Sequence, residues 1–332
     1  MPWAITSPTT KSRPPITTNV IHLLSPQKAT DISVPVLAFW GAFLGRIRET
    51  PIVSEAEIPA GLDDGITEDG VFQAVQEGYS AVYDALPQGQ TFNRIWRDTA
   101  YQGDFPIEYA HIGFLTLSEA QRLLEHLGVA PGDVLVDLAC GEGGPGLWAA
   151  QTSGATLIGI DPTESGLKAA QRRAEAVGMS LHASVRCGTF EATSLDDASV
   201  DAIMTIEAFQ YAPDKRAALR EFARILKPGG RVAIVCFEVD PTNVSGVPIL
   251  GVDPVADYSP LLTDAGFKIG LYEETPGWSE RVYCTFGSLI EATDALNAEM
   301  GELAAASVLA EAMLTVALRP YPRRVLIVAE RS

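Results

Sequence analysis

Val134 to Gly146 reads VLVDLACGEGGPG. Val134, Leu135, Val136 and Leu138 form an apolar run that predicts a buried strand. The run stops at a glycine-rich turn, and Pro145 to Ala150 reads as the opening of a helix. A strand, a tight loop and a helix N-terminus present backbone N–H groups and the positive end of a helix dipole to a ligand. Gly141, Gly143 and Gly146 satisfy the spacing G-x-G-x-x-G, and Asp161 follows at the interval of a ribose-binding acid in a dinucleotide fold.

Charge separates the ligands such a loop can take. A dinucleotide would place a pyrophosphate over it, where Asp137 and Glu142 would repel the phosphates. A ligand carrying an ammonium and a sulfonium tolerates both acids, which points to S-adenosylmethionine. In VDLACGEG, and in the acid that ends the next strand in LIGIDP (Leu157 to Pro162), the chain resembles the class I S-adenosylmethionine-dependent methyltransferases. The turn LKPGGRV (Leu226 to Val232) is a further point of likeness, which runs from about Ala110 to Glu330.

The chain from Gly132 onward alternates strand and helix, the pattern of a mainly parallel sheet covered on both faces. Strands are expected at Val134 to Leu138, Thr156 to Ile160, Ser184 to Arg186, Val200 to Ile206, Arg231 to Phe237, Lys268 to Tyr272 and Arg324 to Ala329. The resemblance implies a Rossmann-like, doubly wound, seven-stranded α/β sheet whose last strand is antiparallel. Residues 277–319, before that strand, carry two long helical patterns with Val282, Phe286, Leu289, Leu296, Leu303 and Val308 on the apolar face. They are read as a cap over the substrate, with dimerisation as the rival use.

The expected organisation is a disordered leader (1–30), a helical N-terminal extension or lid (31–116), an S-adenosylmethionine-binding core (117–276), the helical cap (277–319) and the last core strand (320–332). Within the extension, Ile32 to Thr50 reads as a packing helix and Glu55 to Gly70 as an acidic linker. Val71 to Leu86 and Thr91 to Tyr101 follow as helices. Ser118 is the expected N-cap of a helix ending at Leu127.

Composition narrows the function. The 332 residues are 47% hydrophobic, with 42 acids against 24 bases and a formal charge of −18, which opposes a nucleic-acid partner and favours a small substrate. No run reaches the roughly 20 apolar residues of a membrane span. The four cysteines and four histidines show no metal or disulfide spacing, so no metal is expected and the compartment reads as cytoplasmic.

The resemblance also implies site residues. On the cofactor side these are Asp137, Ala139, Gly141, Glu142, Gly143, Asp161, Pro162, Thr189, Phe190 and Glu207. Asp161 would take the ribose hydroxyls. Thr189 stands where many members carry an acid for the adenine amine, and Phe190 would cover the ring or pack in the core. In EAFQY, Glu207, Gln210 and Tyr211 stand at the end of the fourth strand, facing the reacting methyl. Glu207 or His111, with Tyr211, are the candidate catalytic groups for an alcohol or phenol acceptor. Tyr79, Tyr83, Phe114, Gln210 and Tyr211 are the candidate substrate contacts. For Tyr79, Tyr83 and His111 ordinary core packing competes with that reading.

The reading is therefore methyl transfer from S-adenosylmethionine to a small, partly apolar metabolite, releasing S-adenosylhomocysteine. Oxygen is the favoured atom, with nitrogen and carbon open. One alternative is a methyltransferase scaffold that keeps the cofactor bound while catalysing a cyclisation or elimination. A nicotinamide-dependent oxidoreductase is another, disfavoured by Asp137 and Glu142.

Overall fold

The structure is a computed structural model that describes residues 68–243, 254–317 and 322–332. The expected leader, the helix of Ile32 to Thr50 and the linker up to residue 67 lie outside the described residues. The last three linker residues instead begin a helix.

Two helices come first: α1 (Glu68–Ala85) and α2 (Gln90–Ile95), the latter running into a wider π turn at Trp96–Ala100. Next comes α3 (Leu117–Leu127), started by Thr116 rather than Ser118. Thr116 has an extended backbone, its hydroxyl accepts from the Glu119 N–H, and the Glu119 side chain accepts from the Thr116 N–H. Such a reciprocal cap contributes about 1 kcal/mol. Ser118 sits inside the first turn, its hydroxyl 3.1 Å from that of Thr116.

The core then alternates: β1 (Val134–Leu138), α4 (Gly144–Ser153), β2 (Thr156–Asp161), α5 (Glu164–Ala176), β3 (Ala183–Cys187), β4 (Val200–Ile206), α6 (Lys215–Ile225) and β5 (Leu226–Glu238). After it come α7 (Ser259–Asp264), β6 (Phe267–Glu274), α8 (Trp278–Glu291), α9 (Thr293–Met300), α10 (Glu302–Ala317) and β7 (Arg323–Arg331). The seven strands lie in the order β3-β2-β1-β4-β5-β7-β6. β7 pairs antiparallel with both β5 and β6, whereas the strand pairs from β3 to β5 are parallel. Leu135, Val136 and Leu138 are fully buried, as expected of a parallel strand covered on both faces.

Two expectations change. The Lys227-Pro228-Gly229-Gly230 turn is absorbed into β5 as a bulge, with Val200 opposite Leu226 and Ala202 opposite Arg231. The cap contains three helices, not two, because Ala292 leaves helical geometry and Gly301 turns to a φ of +80°. Leu303 consequently stays partly exposed, whereas Val282, Phe286, Leu289, Leu296 and Val308 are buried.

The chain runs outward from β1 in both directions, to β2 on one side and β4 on the other. This topological switch point opens a crevice at the carboxyl ends of the strands, the usual ligand position in such sheets. The α1 helix packs against α5 and α10, and α10 packs against α8 and α9. Ser80 on α1 meets Ser165 on α5 at 2.9 Å, which ties the covering helices to the core.

Candidate functional site

A cavity of about 1270 Å³, counting its open mouth, lies over the crevice. It is lined both by the glycine loop and by residues of α1 and the cap helix α10.

Its floor is the glycine loop. Ala139, at the end of β1, and Glu207, at the end of β4, both adopt left-handed backbone conformations, with φ of +58° and +55°. For residues with a Cβ this costs about 1–3 kcal/mol and marks a functional turn. Gly141, at φ +50°, leaves no room for a side chain, because a Cβ there would lie 2.4 Å from the Tyr83 hydroxyl oxygen. At Gly146 a Cβ would strike an Asp137 oxygen at the same distance, so the first turn of α4 can sit directly on that carboxyl group.

Burial, reinforced by the Asp161 charge, pushes the Asp137 pKa up to about 8, although the Gly146 N–H partly opposes the shift. Asp137 is therefore mainly protonated at neutral pH in the ligand-free protein, and its part in repelling a pyrophosphate is smaller than the sequence suggests. Asp161 accepts from the Gly141 N–H at 2.8 Å with one oxygen. Its other oxygen accepts from the Thr163 N–H at 2.8 Å and the Thr163 hydroxyl at 2.5 Å. Burial raises its pKa despite those bonds. Glu142 pairs with Arg173 of α5 at 3.2 Å. Gly143 caps α4, and Pro162 lines the cavity beside Asp161.

Thr189 and Phe190 line the cavity beyond β3. Phe190 is also core, with its ring centroid 5.8 Å from that of Phe209 and 6.2 Å from that of Phe222. Glu191 turns toward the N–H of Asp214, 3.4 Å away, outside the cavity lining.

The expected proton acceptors prove otherwise engaged. Glu207 Oε1 accepts from Nε of the fully buried Arg324 at 2.6 Å, and Oε2 accepts from the Phe114 N–H at 2.6 Å. His111 Nδ1 accepts from the Gly113 N–H at 3.0 Å, so a neutral ring carries its proton on Nε2. Burial, followed by the Arg173 charge, lowers the His111 pKa to about 3. Phe114 belongs to an aromatic stack, 5.2 Å from Trp96 and 5.4 Å from Phe286 between ring centroids, and still lines the cavity.

At the far end, the Tyr211 hydroxyl donates to Glu311 Oε1 at 3.0 Å and the Tyr79 hydroxyl donates to Glu311 Oε2 at 3.2 Å. Gln210 Nε2 donates to the Glu207 carbonyl at 2.6 Å, leaving its buried Oε1 without a hydrogen-bond partner. His111 Nε2 is likewise buried and lacks one. Tyr83 stands over the glycine loop, a turn away from Tyr79, rather than at the Glu311 end.

Sequence reasoning missed Glu311 and Arg324. Glu311 is the one acid within the apolar Leu303 to Leu318 pattern, a signal that an apolar reading of the cap passes over. Arg324 is the second residue of β7, just ahead of the apolar run Val325 to Ala329. Among the described residues no cluster of His, Cys, Asp and Glu side chains could hold a metal ion.

The description "Methyltransferase domain" belongs to a protein-family model that matches residues 136–234, spanning β1 to β5. Methyltransferase GfsG of Streptomyces halstedii is 30% identical over 193 residues, which cover 55% of this chain and 68% of that protein. The 27-O-demethylrifamycin SV methyltransferase of Amycolatopsis mediterranei is 26% identical over 222 residues, covering 62% of this chain and 79% of that one. Among solved structures, the cyclase SpnF superposes with a TM-score of 0.60 at 19% identity, over 77% of this chain and 94% of its own, a likeness of fold alone.

The chain belongs to the S-adenosylmethionine-dependent methyltransferases. S-adenosylmethionine is its cofactor. No helix among the described residues is long and apolar enough to cross a membrane.

Proposed function

We propose that this enzyme methylates an oxygen of a small, partly apolar metabolite in natural-product biosynthesis. The observation that carries the reading is a single cavity running from Asp161 and the Gly141 turn to the Tyr79, Tyr211 and Glu311 hydroxyl and carboxyl groups. One end suits a cationic nucleoside and the other a polar group on an apolar molecule. The O-methyl chemistry in the name of the rifamycin relative supports the choice of oxygen.

The residues present fit the donor. Asp137, Glu142 and Asp161 gather carboxyl groups where an ammonium and a sulfonium would sit. Gln210 Oε1 and His111 Nε2 are buried polar atoms in need of a partner at the lining. When bound, S-adenosylmethionine supplies an activated methyl group. The chain's work is then positioning and exclusion of water, which account for most of the acceleration in an in-line displacement.

Asp161 would bind the ribose hydroxyls with the lone pairs its own chain leaves open. Ala139, Gly141 and Gly143 would let the ligand approach the backbone. Asp137 would hold the loop, Glu142 the ammonium side, and Thr189, Phe190 and Pro162 the adenine. Helix α1 and the cap helices would exclude water, with the cap as an alternative surface for homodimerisation. The acidic balance supports a small-molecule acceptor over a nucleic acid, and the scattered cysteines support a cytoplasmic setting.

The test is incubation with methyl-labelled S-adenosylmethionine and hydroxylated polyketides, 27-O-demethylrifamycin SV among them. Label in the product together with S-adenosylhomocysteine supports the reading. Turnover of such compounds without S-adenosylhomocysteine would favour the cyclisation alternative, and label on nitrogen or carbon would refute the choice of oxygen.

A further inference from the structure

Glu311 is out of keeping with its surroundings. It is the only acid or base between Leu303 and Leu318, on a helix whose Ala305, Ala310 and Ala312 are fully buried. It faces the cavity, and among the described residues no lysine or arginine forms an ion pair with it. Its near neighbours from the packed elements are the phenols of Tyr79 on α1 and Tyr211 after β4, and the Glu207 carboxylate at the end of β4, which repels it. Burial raises its pKa, while the two tyrosine hydrogen bonds lower it.

A structural carboxylate in an apolar helix would be expected to carry a cationic partner. Glu311 has two neutral donors instead, one on each oxygen, and each oxygen keeps a further lone pair. Glu207 and His111, the other candidate proton acceptors at the cavity, are held by Arg324 and depressed by burial, respectively.

Resting on the methyl-transfer reading above, we propose that Glu311 is the general base and that the acceptor is a neutral hydroxyl compound, whose O–H is received at Glu311 between Tyr79 and Tyr211. The acceptor O–H bond breaks and its proton passes to a Glu311 oxygen. The freed oxygen pair forms the bond to the methyl carbon as the sulfur–methyl bond breaks, its electron pair staying on sulfur. Charge balances: the carboxylate becomes a neutral acid and the sulfonium a neutral thioether. An amine acceptor fits this site poorly, because a carboxylate stabilises the ammonium form, which has no free pair for the methyl. Burial poises the carboxyl group nearer the working pH, the condition under which a general base is most effective.

The test uses the full-length enzyme and its Glu311→Gln, Tyr79→Phe and Tyr211→Phe variants. Calorimetry first measures S-adenosylhomocysteine and S-adenosylmethionine. The S-adenosylhomocysteine-loaded proteins are then titrated with para-butylphenol, butylbenzene and para-butylbenzylamine, which is cationic at neutral pH. Glutamine preserves shape, accepting from one tyrosine through its oxygen and donating its amide N–H to the hydroxyl oxygen of the other, so Glu311→Gln is expected to bind both nucleosides within about twofold of wild type. It should lose the phenol's advantage over butylbenzene, roughly tenfold for a hydrogen bond to a charged group.

Phenol binding to wild type should weaken as pH falls through the carboxyl titration. The loss should start at higher pH in Tyr79→Phe and Tyr211→Phe, because each removes a bond that favours the ionised form. A selective loss of S-adenosylmethionine over S-adenosylhomocysteine in Glu311→Gln would show that Glu311 serves the sulfonium, overturning the proposal. Preference for the benzylamine, no phenol advantage in wild type, or an unchanged pH dependence in both tyrosine variants would also overturn it. Failure of wild type to bind S-adenosylhomocysteine would instead strike the methyl-transfer reading beneath it, so the two failures are distinguishable.

Discussion

Arg324 Nε donates to Glu207 Oε1 at 2.6 Å, joining the antiparallel last strand to the end of β4 beneath the cavity. Arg324 Nη1 also reaches Glu119 Oε2 at 3.1 Å and the Thr275 hydroxyl at 2.7 Å, and Glu119 Oε1 takes Arg281 Nη2 of α8 at 2.6 Å. Two arginines and two glutamates thus form a buried network of balanced formal charge. Its far end, Glu207, holds the backbone of Phe114.

Replacing Arg324 by Met leaves Glu119 short of one partner and Glu207 buried without its cation. Breaking one side of such a pair costs about 3–5 kcal/mol. Urea denaturation should show a loss of that size, and a change below about 1 kcal/mol would mean that the network contributes little.

Asp161→Ala should weaken S-adenosylhomocysteine binding roughly tenfold to a hundredfold, the worth of one or two hydrogen bonds to a charged group. Isothermal calorimetry measures it. A thermal melt of the ligand-free variant separates lost ligand contacts from a loosened Gly141 turn.

Asp137 contributes a pH-dependent stability of definite sign. Its folded pKa of about 8 lies above the ordinary 3.8, so the folded chain keeps a proton that the unfolded chain gives up. That contribution is full below the unfolded value and is lost as pH rises through the folded one, by up to about 1.4 kcal/mol per pH unit between them. Ligand-free Asp137→Asn should show a flatter fall in stability from about pH 5 to pH 8 than wild type. Parallel curves would contradict the shift.

A cationic ligand beside Asp137 and Asp161 lowers their pKa values, so S-adenosylmethionine should release protons on binding and bind more tightly toward pH 8. Calorimetry in buffers of different ionisation heats counts the protons. Net uptake would mean that the cation lies elsewhere.

His111 works in the opposite direction. Its pKa is depressed from 6.5 to about 3, so its contribution is present above the unfolded value and is lost as pH falls toward the folded one. His111→Asn, which can still accept from the Gly113 N–H, should reduce the acid-side slope between about pH 6.5 and pH 4 by roughly 1.4 kcal/mol per unit at most. An unaltered slope would show that the ring ionises freely.

Much of the core could be read because its signals are local. The span of β1 and of β4 follows from apolar runs bounded by turn residues, and Asp161 from its place at the end of β2. The three-helix cap and the Thr116 cap were misread. Helix breaks at Ala292 and Gly301 and a reciprocal Thr–Glu bond depend on backbone geometry that composition does not display. Glu207 lines the cavity, but its neighbours in sequence do not show the cation that holds it, because Arg324 lies 117 positions away.

The amino-acid order alone determined the alternating architecture and the donor class, since strand, turn and helix propensities and a loop's charge act over a few neighbouring residues. Only the folded chain decided which carboxylates are spoken for and which face the cavity without a cationic partner. Tyr79 and Glu311 stand 232 positions apart, and Tyr211 and Glu311 stand 100. Burial, with the loss of water around those groups, makes their pairing count, and burial exists only once distant segments have packed.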